Sequence, residues 1–363
     1  MKALEYDTPA LTLDIEAAER NIQKMAEYVR RKNVNLRPHV KVHKSPFLAQ
    51  KQIAAGAQGI TCAKVSEAEV MANAGIGDIL VANQIVGETK LRRLVSLAKR
   101  CNIAVLVDNL ENAKEISRLA SEQDQPIGVL VEVNLGIGQE GILDRCGVPP
   151  GQPVVQLAND IAKLKNVKFN GLMGYEGSLR KFPDRQSMES AAKKALGLLI
   201  ESRDDVVDSG LDVQIVSCGG TMSFNIASEI SGVTEIQAGS YIFMDTTYLE
   251  HGIDFEISLT VLSEVVSRPR PEKVITDAGL KAISGDHGLP SVKGRPDLQC
   301  TALNAEHGHF RLLKGDSETR VGEKLEILLT RADTTVCLHD KYVIVRRGEI
   351  ERELEIACRG KLQ

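Results

Sequence analysis

The sequence has no excess charge of either sign: 45 lysines and arginines stand against 49 aspartates and glutamates, net −4, with a pI of about 6.1. A nucleic-acid binder, or a protein held on an acidic membrane surface, would carry a basic excess, so neither partner is expected. No apolar run approaches the roughly 18 residues that span a bilayer. The opening stretch, MKALEYDTPALTLD, turns acidic within its first residues and has no signal-peptide core, so a cytoplasmic protein is expected. The seven cysteines are odd in number, scattered and never spaced C-x-x-C, which points to neither a disulfide framework nor a zinc knuckle. They read as reduced thiols serving as small buried residues. What is present is ordinary globular material. The 363 residues are 43% hydrophobic and 26% charged, enough for one large domain or two.

From about residue 15 to 245, short β-rich runs alternate with helical patterns. The β-like runs are 35–42, 59–63, 78–83, 103–108, 128–134, 168–175, 213–219 and 235–243. Most are near-continuous apolar runs, as strands buried on both faces of a parallel sheet should be. Helical patterns occupy 15–31, 66–74, 88–100, 110–121, 152–165 and 185–208, and Ser66 with Glu69 fits a capping box. Eight strand units followed by helices favour a closed (β/α)8 barrel over an open doubly wound sheet. After residue 250 the segments become extended and are broken by Gly, Pro, Asp and Arg, which suggests an antiparallel β domain. The expected division is a barrel at 15–248 and a β-rich domain from 249–363, with residues 1–14 able to return and pair in it.

In such a barrel the C-terminal strand ends form the active face. There the sequence puts His39, Lys41 and His43, then Cys62 and Lys64, Asn83 and Gln84, Asp108, Glu132 and Asn134, Tyr175 and Glu176. The loops SCGGT (217–221) and AGSY (238–241) follow the last two strands, where barrels commonly take phosphate. Their glycines could bring backbone N–H groups to an oxyanion, or simply make tight turns. Strand alternation would put His39, Lys41 and His43 on one face and Lys44 on the other. A buried lysine is a good imine-forming amine, whereas a solvated one is only a loop charge. An inward lysine opposite a phosphate site fits pyridoxal 5'-phosphate (PLP).

Seven stretches in order, TPALTLD (8–14), LRPHVKVHKS (36–45), GITCAKVSEAEVMANAGIGDILVANQIVG (59–87), GYEG (174–177), SCGGT (217–221), QAGSYIFMD (237–245) and AEHGHF (305–310), resemble the D-threonine aldolase and D-serine dehydratase family of fold-type III PLP enzymes. Its 3-hydroxy-D-aspartate aldolases and dehydratases are especially similar. The resemblance implies an alanine-racemase-like barrel with a C-terminal β domain, paired as a homodimer. It implies Lys41 as the Schiff-base lysine, flanked by His39 and His43. Thr221, Gly239 and Ser240 would hold the phosphate, Tyr175 would lie near the pyridine ring, Gln84 and Arg145 would line the cofactor pocket, and Tyr241 would also bind the cofactor.

Two departures stand out. Where the family carries a metal-binding H-C-D-P-T-x-N-x-x-D pattern, this chain reads RADTTVCLHD (331–340), so Arg331 stands at the histidine and Cys337 at the asparagine, while Asp333 and Thr335 match. A guanidinium stays protonated and has no lone pair for a metal, and one carboxylate makes a poor transition-metal site. His339 and the HGH of 307–309 are the alternative ligands. A divalent metal is therefore doubtful from the sequence, and Arg331 is expected to act as a fixed cation in its stead. Second, EGSLRKF (176–182) places Arg180 and Lys181 where hydroxyaspartate members have Gln-His, as solvated charges or as a lure for an anionic substrate. The reaction implied is retro-aldol cleavage of a D-3-hydroxy amino acid. Dehydration, racemisation and a PLP-binding regulatory role are the alternatives.

Overall fold

The computed structural model describes residues 1–313 and 319–363. Two compact units separate: Met1–Lys24, Val42–Ser45 and Ser240–Gly360 form one, and Met25–Lys41, Pro46–Gly239 and Lys361–Gln363 form the other.

In the second unit eight parallel strands run Asn35–Leu36, Glu235–Ile236, Ile215–Cys218, Val167–Gly174, Ile127–Val133, Asn102–Val107, Asp78–Gln84 and Ile60–Cys62, each beside the next. A bridge between His39 and Thr61 joins the two ends and closes the barrel. Helices Pro46–Ala54, Val65–Asn73, Glu88–Leu97, Leu110–Gln123, Gln152–Ile161, Arg185–Asp208 and Phe224–Ala227 follow the first seven strands in chain order. Their starts are chemically marked where a side chain takes an orphan amide: Asn109 accepts from Asn112 N at 2.8 Å, and Asp184 from Ser187 N at 2.8 Å. Along Arg185–Asp208 the buried positions Met188, Ala192, Ala195, Leu196 and Leu199 recur at helical spacing and form the inward stripe.

The expected capping box is absent. The helix begins at Val65 with Lys64 as its N-cap, Glu67 accepts from Ala63 N at 2.8 Å, and Glu69 turns outward to Arg93. Ser66, one position inside the helix, is too far along to cap it.

Two strands are shorter than the sequence suggests. The eighth is Glu235–Ile236, because the chain then coils into a 3-10 turn at Ser240–Ile242. The first is Asn35–Leu36 plus the His39 bridge, and Val40–His43 form a turn. Pro38 has no N–H to continue the ladder, and Lys44 sits at φ +51°, outside strand geometry. Alternation therefore stops at His39. Lys41 is exposed, His43 is fully buried, and Lys44, expected on the face opposite Lys41, is 5% exposed.

At the N-terminal ends of the strands Arg37 is buried between Glu235, at 3.0 Å, and Asp78. A Cβ on Gly59 would lie 2.6 Å from the Arg37 guanidinium, so only glycine leaves room for this pair. That end of a barrel is its stability face.

The other unit holds a nine-stranded sheet. Its main path is Leu298–Leu303, Gly308–Leu312, Lys273–Thr276, Leu259–Arg270, Ala10–Asp14, Lys341–Arg346 and Glu349–Glu355, with Lys324–Leu328 also on Leu259–Arg270 and Ser291–Val292 beside it. Pairing is antiparallel except between Ala10–Asp14 and Lys341–Arg346. The N-terminal strand does return to this sheet. Ala10, Leu262, Val343 and Val345 pack beside it as one apolar cluster. All seven cysteines are thiols rather than disulfides. Among the described residues no helix is long and apolar enough to cross a membrane.

Candidate active site

Parallel strands place all their C-terminal ends at one rim of the barrel. Below that rim Leu80, Leu106, Leu130 and Met173 form a buried layer, with Ala82, Ala104 and Ile215 packed on it. Two residues further along the same strand faces the chemistry changes: Glu132 follows Leu130, Tyr175 follows Met173 and Gln84 follows Ala82. The apolar layer fixes the height of this polar tier. Truncating Leu130 to alanine would cost about 2–5 kcal/mol of stability and loosen the tier above it.

The tier is connected. The Gln84 amide donates to Glu132, and Arg145 Nη2 lies 3.5 Å from the other Glu132 oxygen. The Arg145 guanidinium sits 5.7 Å from the Tyr175 ring centroid, a cation–π arrangement. Burial pushes the Glu132 carboxyl above the usual glutamate range, while Gln84 and Arg145 pull it back. For Arg145 burial opposes the charge, but Cys146 and Glu132 outweigh it and the net shift is upward. Tyr175 is 36% exposed, beside this fixed cation.

Next to Tyr175, Glu176 is fully buried. It accepts from Gly219 N at 3.4 Å and from the Ser223 hydroxyl, whose oxygen accepts from Gly220 N at 3.0 Å. Burial raises the Glu176 carboxyl, with Ser223 and the loop amides opposing that. The amides of Gly219 and Gly220 are thus consumed inside the protein. They shape the turn, where Gly219 adopts φ +78°, and do not reach outward as phosphate donors. Thr221, only 4% exposed, is the next residue of that loop. A Cβ on Gly220 would lie 3.4 Å from the Tyr175 ring, which brings this loop and the Gln84–Glu132–Arg145–Tyr175 chain together.

Lys41 lies two residues past the His39–Thr61 bridge, at the same rim. Lys41 is exposed, without the burial that alternation predicts. His39 is half-buried. Arg180 and Lys181 are exposed on a 3-10 turn, as solvated charges would be.

The β-rich unit carries the remaining candidates. His43 accepts from Ser45 N on Nδ1 at 3.1 Å, which puts a neutral ring's proton on Nε2. Its carbonyl takes the Tyr342 hydroxyl at 2.6 Å. Ser240 accepts from the Tyr248 hydroxyl at 3.4 Å. The Tyr241 side chain is fully buried against Phe255, centroids 5.5 Å apart. Arg331 donates from Nε to Asp333 at 2.7 Å and from Nη1 to Asp286 at 3.2 Å. Asp245, 4% exposed, accepts from Ala332 N at 2.9 Å; burial, and then Asp333, push its carboxyl well above the usual range. His339 is held by the Ala282 carbonyl at 2.8 Å.

Glu132 and Glu176 were legible only as strand-end residues. Their signal is a charge inside an apolar run, GVLVEVN and LMGYEG, where a doubly buried strand tolerates one only if it is partnered. Ser223, Asp245 and Asp286 carry no such signal, because Glu176, Ala332 and Arg331, which they meet, are distant in sequence.

Known proteins resemble this chain along its whole length. Residues 13–247 match the family model of the alanine racemase N-terminal domain, and residues 258–345 that of a serine dehydratase domain. A D-threonine aldolase of Arthrobacter sp is 39% identical over 98% of this chain and 93% of its own. A 3-hydroxy-D-aspartate aldolase of Paracoccus denitrificans is 35% identical over 99% of this chain and 94% of its own. The crystal structure of D-threonine aldolase from Filomicrobium marinum superimposes with a TM-score of 0.96 at 36% identity, covering 100% of this chain and 98% of that one. The chain belongs to the D-threonine aldolase and D-serine dehydratase family, built on the alanine racemase N-terminal domain.

Proposed function

We propose that the chain is a PLP-dependent lyase that cleaves a D-3-hydroxy amino acid between Cα and Cβ, giving glycine and an aldehyde. The observation that carries it is the rim arrangement: an exposed Lys41, the Tyr175 ring beside Arg145, and the Thr221 loop braced from below by Glu176. This donor set fits PLP. Lys41 would hold its aldehyde carbon, Thr221, Gly239 and Ser240 its phosphate, and Gln84, Arg145, Tyr175 and Tyr241 would line the cofactor. Bound there, the cofactor supplies an electron sink for the pair left on Cα. The full-length similarity to proteins named aldolases supports cleavage as the reaction.

The protein's own residues manage the protons and charge. His39 takes the proton of the β-hydroxyl as the Cα–Cβ bond breaks; the carbonyl of the aldehyde forms, and a proton returned to Cα gives glycine. His43, fixed by Ser45 and Tyr342, positions the turn that carries Lys41. We place the enzyme in the cytoplasm, on its thiol cysteines, and assign it a homodimer, on its family.

The experiment is incubation of the holoenzyme with D-threonine, 3-hydroxy-D-aspartate and D-serine. Glycine, 2-oxo acid and the L-enantiomer are assayed in parallel. Glycine and aldehyde in equal amounts are expected. A 2-oxo acid with ammonia would mean dehydration, and the L-enantiomer alone racemisation.

A further inference from the structure

The residues at 331–340 do not fit a divalent cation. Arg331 has no lone pair to offer. Asp333 Oδ1 is already shared by Arg331 Nε at 2.7 Å and Thr334 N at 2.8 Å. Asp286 holds the other arm of the guanidinium, and Asp245 is engaged by Ala332 N. Cys337 Sγ donates to the Asp333 carbonyl at 3.4 Å, and the His339 ring is bound to Ala282. Among the described residues no three His, Cys, Asp or Glu side chains converge as metal ligands. The cluster is nevertheless built and not incidental. The segment that follows Ser240–Ile242 grips the Arg331 strand-to-helix corner from three points: Thr246 N to the Leu329 carbonyl at 3.0 Å, Thr247 Oγ1 to the Thr330 carbonyl at 3.1 Å, and Asp245 to Ala332 N. Arg331 also feels Tyr248, whose hydroxyl donates to Ser240.

We propose that this chain has exchanged the family's divalent cation for the Arg331 guanidinium. Arg331, oriented by Asp333 and Asp286, binds an anionic oxygen of the substrate, and the enzyme neither binds nor needs a metal ion. The inference rests on the lyase reading for its substrate but not for its metal chemistry. Two carboxylates on one guanidinium leave it pre-oriented, with the remaining N–H groups available for charge-assisted hydrogen bonds. The oxygen is either the β-oxygen that loses its proton or a second carboxylate, and both present the same chemistry.

The test uses holoenzyme dialysed against EDTA with PLP retained. Metal content is measured by mass spectrometry, and the melting temperature is recorded with and without Mn²⁺. Wild type is expected to contain no stoichiometric metal, to keep its turnover within about twofold after EDTA, and to show no Mn²⁺-dependent rise in melting temperature. Arg331→His, which restores a ligand beside Asp333, is expected to acquire Mn²⁺-dependent stabilisation and Mn²⁺-dependent turnover. Should Arg331→His not fold, Arg331→Lys keeps a cation and is expected to remain metal-independent with reduced turnover. Arg331→Ala is expected to lower kcat/KM at least about tenfold. An equal loss for D-threonine and 3-hydroxy-D-aspartate identifies the β-oxygen, and a larger loss for the latter its distal carboxylate. One metal per wild-type chain, with turnover abolished by EDTA and restored by Mn²⁺, would overturn the proposal, as would an Arg331→Ala variant with unchanged kcat/KM. If no substrate is cleaved at all, the lyase reading fails while the metal content and melting data still decide this one.

Discussion

Both units gather carboxyl groups, but they bury and partner them differently: Glu132 and Glu176 are buried, whereas Asp333 is half-buried and Asp286 exposed. At the barrel rim Glu132 and Glu176 meet mainly neutral donors: the Gln84 amide, the Ser223 hydroxyl and the Gly219 N–H, with Arg145 standing off at 3.5 Å. In the β-rich unit Asp333 and Asp286 both close on one guanidinium. Neutral partners fix direction without adding charge, which suits a rim that must hold a cofactor and leave protons mobile. A guanidinium between carboxylates fixes a charge, which suits a place where negative charge develops. The barrel rim is thus an orienting device, and the Arg331 cluster a charged one.

The largest expected effect removes what the rim orients. Lys41→Ala should cost at least about a thousandfold in turnover and abolish covalent retention of PLP after borohydride reduction, read by mass spectrometry. Retention of the label on another lysine, Lys44 above all, would move the anchor. Next comes the charged device: Arg331→Ala should lower kcat/KM by about a hundredfold, in the range seen when one charge-stabilising donor is lost. Substitutions within the orienting device should be milder. Glu132→Gln keeps an acceptor for Gln84 and loses only the distant Arg145 attraction, so a fall of about tenfold or less in kcat/KM is expected. A loss as large as that of Arg331→Ala would show that the rim works by charge after all.

The smallest effect is on stability and has a sign. The Glu176 carboxyl is raised in the fold, so its contribution to stability is fully present below the ordinary glutamate value and is lost as pH rises towards the raised one. Glu176→Gln resembles the protonated form. Its melting temperature relative to wild type should therefore climb as pH rises above the ordinary glutamate value of about 4.3. A flat or falling difference would mean that the ionised carboxylate is the form the loop prefers.

How much of this was legible beforehand varied with the range of the interactions. The barrel, the β-rich sheet and the return of Ala10–Asp14 to it were readable, because apolar runs and helical periodicity are local signals. The rim position of Lys41 was readable too. Its exposure was not, since alternation stops at His39, beyond the strand Asn35–Leu36. The glycines of SCGGT pointed correctly to a turn at the rim. That Glu176 and Ser223 absorb the first two amides depends on residues 43 and 3 positions away and left no local trace. Arg331 was visible as a departure from a pattern. Asp286, which holds its other arm from 45 residues upstream, was not.

Cleavage supported by a guanidinium is tested most directly by product analysis of EDTA-treated, PLP-loaded wild type acting on D-threonine. Glycine and acetaldehyde are expected in equal amounts, at the same rate before and after chelation. A 2-oxo acid with ammonia, or turnover that vanishes with EDTA and returns with Mn²⁺, would contradict it.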